Sequence, residues 1–435
     1  MRRTTFPLGG IRPVERKHRT RGLQTWNASV PAVAIVPMDQ CAGAPAQVVV
    51  EAGQHVGEGM LIGRASAPDG AHVHSPIPGR VREIRRNRLP DGTESESVVV
   101  ELEGEFERLG KPSRALPWES LGVGEILGLI RDGGVIGMGG AGRATHVKLE
   151  EGSARPGVCL IANGCESEPY ICADHRLMVE RPRDVLVGLR IAAAVVRPSR
   201  VVIGIEANKR DAAAALESAI GSLGLPYRVQ LLQVKYPQGD ERQLTRVITG
   251  REVPSGGSPL DAGALVFNCA TLCAVHDAVV FRRPVLERIV TVAGGAVARP
   301  ANVKARIGMP VGRLLEECGG LRTTASRVVM GGPMTGHAVE DLETPITKQT
   351  RGVLALTARE VRAAPLQPCI RCGRCVEACP IGLEPARLGK LIEHGRAAEA
   401  LGEGLLDCTE CGSCAYVCPS RIPLVARLRS GKRRG

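Results

Sequence analysis

The spacing of hydrophobic residues changes along the chain and divides it into regions with different predicted structure. Residues 1 to about 36 show little periodicity, which predicts an extended lead-in that wraps another domain. From Pro45 onward, short apolar stretches are bounded by Gly and Pro. This pattern predicts a small β-barrel or sandwich of about seventy residues.

Apolar runs alternate with amphipathic segments in the middle of the chain. The runs GVCLIAN, RVVIGIE and YRVQLLQV predict strands, and Pro182 to Val196 and Lys209 to Leu223 predict helices between them. A helix is also predicted from Leu121 to Arg131. Because strands that alternate with helices form parallel sheets, the segment from Leu121 to Phe281 is predicted to be a Rossmann-like domain.

Two further regions complete the predicted multidomain α/β architecture. Residues 288 to 335 predict two short strands, a turn and an amphipathic helix, as in a compact β-grasp unit, and RGVLALT predicts a returning strand. The predicted domains are the lead-in with the β domain (1–112), the Rossmann-like domain (113–285), the β-grasp domain (286–364) and a cysteine-rich α-helical domain (365–435).

The cysteine-rich domain contains the motif C-x2-C-x2-C-x3-C-P twice. Three closely spaced thiolates bind one [4Fe–4S] cluster, and the cysteine before proline binds the neighbouring cluster. This pattern predicts Cys369, Cys372, Cys375 and Cys418 as ligands of cluster 1, and Cys408, Cys411, Cys414 and Cys379 as ligands of cluster 2. Zinc is the main competing metal, but a Zn–S4 site needs only two CxxC pairs and no trailing Cys-Pro. We expect the seven other cysteines to be small buried hydrophobes.

Composition and charge limit the class of protein. The 435 residues are 43% hydrophobic, and no apolar run reaches the roughly 18 residues of a membrane span. We therefore expect a cytoplasmic protein without a transmembrane segment. The formal net charge of +12 is concentrated in clusters that suit anionic lipid headgroups, acidic proteins or plain solvated surface. Nucleic acid is not expected as a partner, because no recognition helix or RNA-binding motif accompanies these clusters.

A glycine-rich stretch and a group of polar residues indicate an anion site in the Rossmann-like domain. Gly137, Gly139, Gly140 and Gly142 predict a loop whose backbone N–H groups approach an anion, although a tight turn is the alternative. Asn163, Glu166 and Glu168 follow the strand GVCLIAN. Open α/β sheets bind their ligands at the carboxyl ends of strands.

Long ordered motifs identify a family resemblance. GMGGAGxxTHVKL, NGxESEPYIxADxRLM, YPQGDERQL, REVPSGG, VMGGPMTG and the paired cysteine motifs resemble the RnfC subunit of the Rnf ion-translocating electron-transport complex. The middle part is similar to the FMN- and NADH-binding subunit of respiratory complex I. SPIPGRV and its surroundings resemble the hammerhead (barrel-sandwich) fold of biotinyl and lipoyl carriers, without the carrier lysine. The β-grasp unit is correspondingly expected to be SLBB-like.

The resemblance implies specific cofactor contacts. Gly137, Gly139, Gly140 and Gly142 would line the phosphate or ring of FMN, and Lys148 would contact FMN. Residues implied to border the flavin or the nucleotide are Asn163, Glu166, Glu168, Asp240, Glu241, Asn268 and Thr271, with Glu166 as the catalytic residue. Arg143-Ala144 departs from the usual Phe-Pro, whose Phe is expected to stack on the dinucleotide.

The implied function is electron transfer from NADH through FMN and two [4Fe–4S] clusters, or the reverse. The implied partners are membrane subunits of an Rnf-type complex and ferredoxin or another electron carrier, with the chain on the cytoplasmic face of the cell membrane. Two alternatives stay open. One is a flavin and iron–sulfur reductase such as a cobalamin reductase, and the other is an electron-transfer adaptor without NADH oxidation.

Overall fold

The computed structural model describes residues 4–107, 109, 111, 114–361 and 365–433. The predicted domain boundaries at 112–113 and at 364 lie outside the described residues, as do the ends of the first and last predicted domains.

The strands and helices follow the predicted order. The strands are β1 (Trp26–Asn27), β2 (Val33–Pro37), β3 (Ala46–Val48), β4 (His55–Val56), β5 (Leu61–Ala65), β6 (Val73–His74), β7 (Gly79–Arg88), β8 (Glu94–Leu102), β9 (Cys159–Gly164), β10 (Arg200–Glu206), β11 (Arg228–Leu232), β12 (Ala264–Asn268), β13 (Glu287–Ala293), β14 (Ala301–Arg306), β15 (Arg327–Met330), β16 (His337–Val339) and β17 (Gly352–Leu356). The α-helices are α1 (Val123–Asp132), α2 (Thr145–Ser153), α3 (Ala173–Glu180), α4 (Pro182–Val196), α5 (Arg210–Leu223), α6 (Glu241–Thr249), α7 (Cys269–Val280), α8 (Val311–Glu317), α9 (Ala358–Val361), α10 (Arg374–Glu377), α11 (Pro385–Glu393), α12 (Ala397–Gly402), α13 (Ser413–Val417) and α14 (Leu424–Lys432). Short 3₁₀ helices span Pro259–Ala262 and Leu405–Asp407.

The N-terminal β domain is a sandwich of two small sheets. One sheet has the order β2-β8-β7-β4 and the other β3-β5-β6. Val36, Ile62, Ile77, Val81 and Val98 are fully buried between them. The short Gly-bounded strands predicted for this region are therefore confirmed.

The Rossmann-like domain has a parallel sheet in the order β11-β10-β9-β12. Chain order reverses at β9, because β10 lies on one side of it and β12 on the other. Asn268, the last residue of β12, is paired in register with Asn163, the second-last residue of β9. Open α/β sheets bind ligands at such a switch point, outside the carboxyl ends of the strands.

The lead-in is fastened to three other parts of the molecule. Thr4 and Ile11 form bridges with Leu232 and Tyr236 of the Rossmann-like domain. The N–H of Gly10 donates to the carbonyl of Ala378 in the cysteine-rich domain. Strand β1 adds to the β-grasp sheet, whose order is β1-β14-β13-β17-β15-β16. The wrapping predicted for this segment is confirmed.

No helix in the part of the chain that the structure describes is both long and apolar enough to cross a membrane.

Candidate functional site

A cavity of about 360 Å³ lies at the carboxyl ends of β9 and β12, and we call it the sheet-end cavity. Most of the residues predicted from the sequence to bind the cofactor line it together. They are Gly137, Gly139, Gly140, Lys148, Asn163, Glu166, Glu168, Asp240, Glu241, Asn268 and Thr271.

Gly142 is the predicted residue that does not line the cavity. Its N–H donates to the carbonyl of Gly137 at 3.0 Å and closes the glycine-rich loop. A Cβ atom at Gly142 would lie 2.6 Å from the side chain of Gln349, and φ is +67°. Gly142 therefore shapes the loop from behind the cavity wall.

The glycine-rich loop leads directly into helix α2, whose first turn faces the cavity. Thr145, the first residue of α2, is 1% exposed, and its hydroxyl has no hydrogen-bond partner among the described residues. Lys148 lies one turn later and forms an ion pair with Glu241, with Nζ–O distances of 2.9 and 3.0 Å. A helix N-terminus with a free hydroxyl and a nearby ammonium fits a phosphate group. The residues present therefore suit FMN.

The predicted carboxylates hold the main chain around the cavity. Glu166 has a left-handed φ of +45°, and its carboxylate accepts from the N–H groups of Asp174 and His175 at the start of α3. Glu168 accepts from the N–H groups of Met334 and Thr335 in the β-grasp domain. These two carboxylates thus join three chain segments at the cavity.

Asp240 has a similar structural role at helix α6. It is the N-cap, and its carboxylate accepts from the N–H groups of Arg242 and Gln243. Burial raises its pKa. The catalytic role of Glu166 is still a prediction. The contacts of the other residues with the cofactor are predictions too.

Asn163, Asn268 and Thr271 also fix the cavity wall. Asn163 donates to the carbonyl of Gly239 at 2.8 Å. Asn268 is the N-cap of α7. The hydroxyl of Thr271 accepts from the N–H of Met138 at 2.8 Å, which ties the glycine-rich loop to α7.

Sequence reasoning does not find several residues of the cavity wall, including Asp174, Tyr236, Thr335 and Arg351. Asp174 accepts from Asn268 Nδ2 at 2.6 Å. Burial, followed by the charge of Glu166, raises the pKa of Asp174 to about 6. Asp174 is part of the ADxRLM motif, which is a signal in the sequence. Arg351 has no such signal, because it reaches the cavity from the turn before β17.

Arg143 lines the cavity at the position of the expected stacking Phe. Its guanidinium forms an ion pair with Glu151 on α2. Arg143 is thus held by the helix that follows it.

The eight motif cysteines line two separate cavities. Cys369, Cys372, Cys375 and Cys418 line an outer cysteine cavity of about 670 Å³. Cys379, Cys408, Cys411 and Cys414 line an inner cysteine cavity. These are the two predicted ligand sets. Among the described residues, no three His, Cys, Asp or Glu side chains are placed to hold a single metal ion.

The two motifs have the same backbone conformation, and this symmetry supports the fit of two clusters. Three pairs of equivalent residues have left-handed φ angles, namely Arg371 and Glu410 (both +55°), Gly373 and Gly412 (+74° and +82°), and Gly382 and Arg421 (+77° and +55°). Left-handed residues in such loops turn N–H groups toward an enclosed anion. Two N–H groups in these loops point at sulfur. Leu383, which follows the left-handed Gly382, donates to Cys379 Sγ, and the left-handed Glu410 donates to Cys408 Sγ.

The inner cysteine cavity adjoins the sheet-end cavity. Cys411 lines both. The hydroxyl of Tyr236, another residue of the sheet-end cavity, donates to the carbonyl of Cys411 at 2.6 Å. A group in the sheet-end cavity is therefore next to the second motif.

Family models match the chain in the order of the observed domains. They are an RnfC barrel sandwich hybrid domain (residues 5–105), the Nuo51 FMN-binding domain (130–277), an SLBB domain (289–338) and a 4Fe–4S dicluster domain (365–422). The chain is also 38% identical to a subunit of the proton-translocating ferredoxin:NAD(+) oxidoreductase complex of Clostridium ljungdahlii, over 92% of this chain and 87% of the relative. This chain belongs to the RnfC family.

Other RnfC relatives match over nearly the whole chain. The corresponding subunit of the Na(+)-translocating ferredoxin:NAD(+) oxidoreductase complex of Acetobacterium woodii is 36% identical over 98% of this chain and 96% of the relative. The corresponding subunit of the ion-translocating oxidoreductase complex of Rhodobacter capsulatus is 38% identical over 96% of this chain and 80% of the relative. The predicted family and the predicted fold class are both confirmed.

Among solved structures, the fold is similar to a chain of an NAD+-reducing [NiFe]-hydrogenase in the H2-reduced state. The TM-score is 0.54 at 21% identity, over 73% of this chain and 62% of the hydrogenase chain. At this identity the similarity extends to the fold alone.

Proposed function

We propose that this RnfC-family chain is an electron-transfer subunit of an Rnf-type membrane complex and passes electrons between NADH and two [4Fe–4S] clusters through FMN. The observation that carries this proposal is that Cys411, a residue of the inner cysteine cavity, lines the same cavity as the glycine-rich loop. A flavin bound there would be next to a cluster. Bound FMN exchanges two electrons with a nicotinamide and single electrons with a cluster.

The chain's own residues would bind and orient the flavin. The N–H groups at the start of α2, the hydroxyl of Thr145 and the ammonium of Lys148 would hold the phosphate. Asn163 and Asn268, at the ends of adjacent strands, would flank the ring. Glu166 and Glu168 would keep the cavity walls in place, because they bind main-chain N–H groups of α3 and of the β-grasp domain.

The charged side chains that line the cavity suit the binding of NADH. Arg351 and Arg143 line it together with Lys148, and a pyrophosphate is a suitable partner for a guanidinium. The cavity is also lined by the carboxylate residues Asp240, Glu241 and Glu168, and carboxylates bind ribose hydroxyls in dinucleotide sites. These groups support NADH as the two-electron reactant.

The positions of the two cysteine cavities support one order of electron transfer. The inner cavity adjoins the flavin site, whereas Cys372 in the outer cavity is exposed. Electrons would pass between FMN and cluster 2, then cluster 1, then a partner. The partners proposed are membrane subunits of the complex and ferredoxin or another carrier, with the chain peripheral on the cytoplasmic face of the membrane. These features come from the family, whose relatives are subunits of ion-translocating complexes.

An adaptor without NADH oxidation is the second candidate. The observation that favours it is the Arg143–Glu151 ion pair, which stands where an aromatic ring was expected to stack on the dinucleotide. In this case the flavin and the clusters would be present but would exchange electrons only with other proteins.

Anaerobic purification followed by NADH addition separates the two candidates. We expect eight irons and one FMN per chain, with loss of both flavin and cluster absorbance when NADH is added. Bound flavin and iron that stay oxidised with NADH, but are reduced by dithionite, would favour the adaptor. If NADH then reduces the flavin and the clusters of the Arg143→Phe variant, Arg143 is the cause.

A further inference from the structure

The inner cysteine cavity draws its cysteines from both motifs. Cys379 belongs to the first motif, and the other three cysteines of this cavity belong to the second. The four thiolates can bind one cluster only if the two motifs keep their relative positions. A contact that fixes the first motif against the second is therefore important for this site.

The start of the lead-in is fixed with respect to the second motif. Phe6 is fully buried. Ile11 and Tyr236 exchange two main-chain hydrogen bonds, each of 2.8 Å. The hydroxyl of Tyr236 in turn donates to the carbonyl of Cys411 in the second motif. This part of the lead-in thus moves together with the second motif.

Two glycines between Phe6 and Ile11 contact the first motif. The N–H of Gly10 donates to the carbonyl of Ala378 at 3.0 Å, and Ala378 directly precedes Cys379. At Gly9, φ is +55°, and a Cβ atom would overlap the carbonyl group of Cys379. Only a glycine therefore allows the lead-in to lie directly against the main chain of Cys379.

We propose that Gly9 is a positioning residue for cluster 2, because it lets the lead-in clamp the main chain of Cys379 in place against the second motif. The inference rests on the proposed function, since it takes the inner cysteine cavity as the site of cluster 2. Gly9 acts through Cys379 and has no catalytic role. Cys379 is 7% exposed, and the lead-in that contacts its carbonyl helps to keep water away from it.

A simpler role for Gly9 is to let the lead-in turn, because a φ of +55° is unfavourable for other residues. A glycine with a similar backbone conformation and no close neighbour separates the two roles. Gly224 follows helix α5 with a φ of +61°, and a Cβ atom there would have nothing within 4 Å. Gly224→Ala therefore has the backbone strain of Gly9→Ala without the steric overlap.

The rate of iron release to a chelator tests the proposal for each cluster separately, with the anaerobically iron-loaded full chain. In a Cys372→Ala background the remaining irons belong to cluster 2, and in a Cys408→Ala background they belong to cluster 1. We expect Gly9→Ala to speed iron release about tenfold or more in the first background, because overpacking displaces Cys379. The rate in the second background should not change. Gly224→Ala should leave both rates unchanged.

The reduction potential of cluster 2, measured by an EPR-monitored redox titration, is a second readout that a general loss of stability would not change. Gly9→Ala should raise this potential relative to Gly224→Ala, because water that reaches a cluster stabilises its more negative reduced state. The potential of cluster 1 should stay the same.

Phe6→Leu keeps the proposal testable if Gly9→Ala does not fold. This substitution loosens the buried anchor of the lead-in without adding an atom beside Cys379. We expect it to speed iron release from cluster 2 and not from cluster 1.

Equal iron release from Gly9→Ala and Gly224→Ala in the Cys372→Ala background would overturn the proposal. Equal acceleration by Gly9→Ala in the two backgrounds would also overturn it, because the effect would then be a general loss of stability. The same holds for a reduction potential of cluster 2 that Gly9→Ala leaves unchanged. Fewer than eight irons in the wild-type chain would instead contradict the proposed function.

Discussion

The hydroxyl of Tyr236 donates a hydrogen bond to the main-chain carbonyl of Cys411 at 2.6 Å, although the two residues are 175 positions apart. Tyr236 lines the sheet-end cavity and Cys411 lines both that cavity and the inner cysteine cavity. The contact therefore fastens the second cysteine motif to the proposed flavin site.

Tyr236→Phe removes this hydrogen bond while keeping the ring. A net loss of about 1 kcal/mol corresponds to a roughly fivefold change in a local opening equilibrium. We expect iron to be lost to a chelator several times faster, with flavin content unchanged. Tyr416→Phe is the control, because Tyr416 is 53% exposed and lies in α13 of the same motif. Equal rates of iron loss in the two variants would show that the contact does not secure the cluster.

Lys148→Ala tests the phosphate site. Loss of one charge-assisted hydrogen bond, worth about 1.5–3 kcal/mol, should weaken FMN binding by roughly tenfold to a hundredfold. Iron content should stay at the wild-type value. In Glu241→Gln the ammonium remains but its ion-pair partner is neutral, so flavin content should be retained. Unchanged FMN affinity in Lys148→Ala would show that this lysine does not bind the phosphate.

Asp174 makes stability depend on pH. Burial beside Glu166 raises its pKa from 3.8 to about 6, so the folded chain binds more protons than the unfolded chain between these values. The contribution of Asp174 to the free energy of unfolding is fully present below pH 3.8. This contribution is lost as the pH rises through about 6. The full effect corresponds to roughly 3 kcal/mol.

Asp174→Asn isolates this effect, because asparagine is neutral at every pH in the range. We expect the variant to have a higher apparent melting temperature than the wild type at pH 7, and we expect this difference to shrink as the pH falls from about 6 toward 3.8. Calorimetric scans at several pH values measure the difference. A difference that does not change with pH would contradict the raised pKa.

Cys372→Ala should remove cluster 1 alone. Cys372 is exposed and lines the outer cavity, so its loss should leave the inner cavity intact. We expect four irons per chain and a normal FMN content. Cys273→Ala, a buried cysteine outside both motifs, should keep eight. Eight irons in Cys372→Ala would contradict the ligand assignment.

Local sequence patterns predict much of the fold. Strand β10 and helix α4 have the predicted bounds, because each is a strongly patterned segment with a clear end, and α4 begins with proline. The seven cysteines outside the motifs are all buried, as expected of small hydrophobes. The repeated cysteine spacing also predicts which cysteines line each of the two cysteine cavities.

Contacts between distant segments cannot be predicted in this way. Lys17 of the lead-in is 5% exposed and donates to the main-chain carbonyl of Glu166 at 2.5 Å. In the sequence, Lys17 belongs to a basic cluster from Arg12 to Arg21, which indicates a surface patch. Only the tertiary path of the lead-in brings this ammonium beneath the sheet-end cavity. Arg351 escapes prediction for the same reason.

The central claim is that the flavin lies next to cluster 2, and the magnetic relaxation of the one-electron-reduced flavin tests it most directly. In partly reduced wild-type protein, power-saturation EPR should show a flavin radical that relaxes fast because a paramagnetic cluster is nearby. Fast relaxation should persist in Cys372→Ala and disappear in Cys408→Ala. Fast relaxation that depends on Cys372 and not on Cys408 would contradict the proposed arrangement.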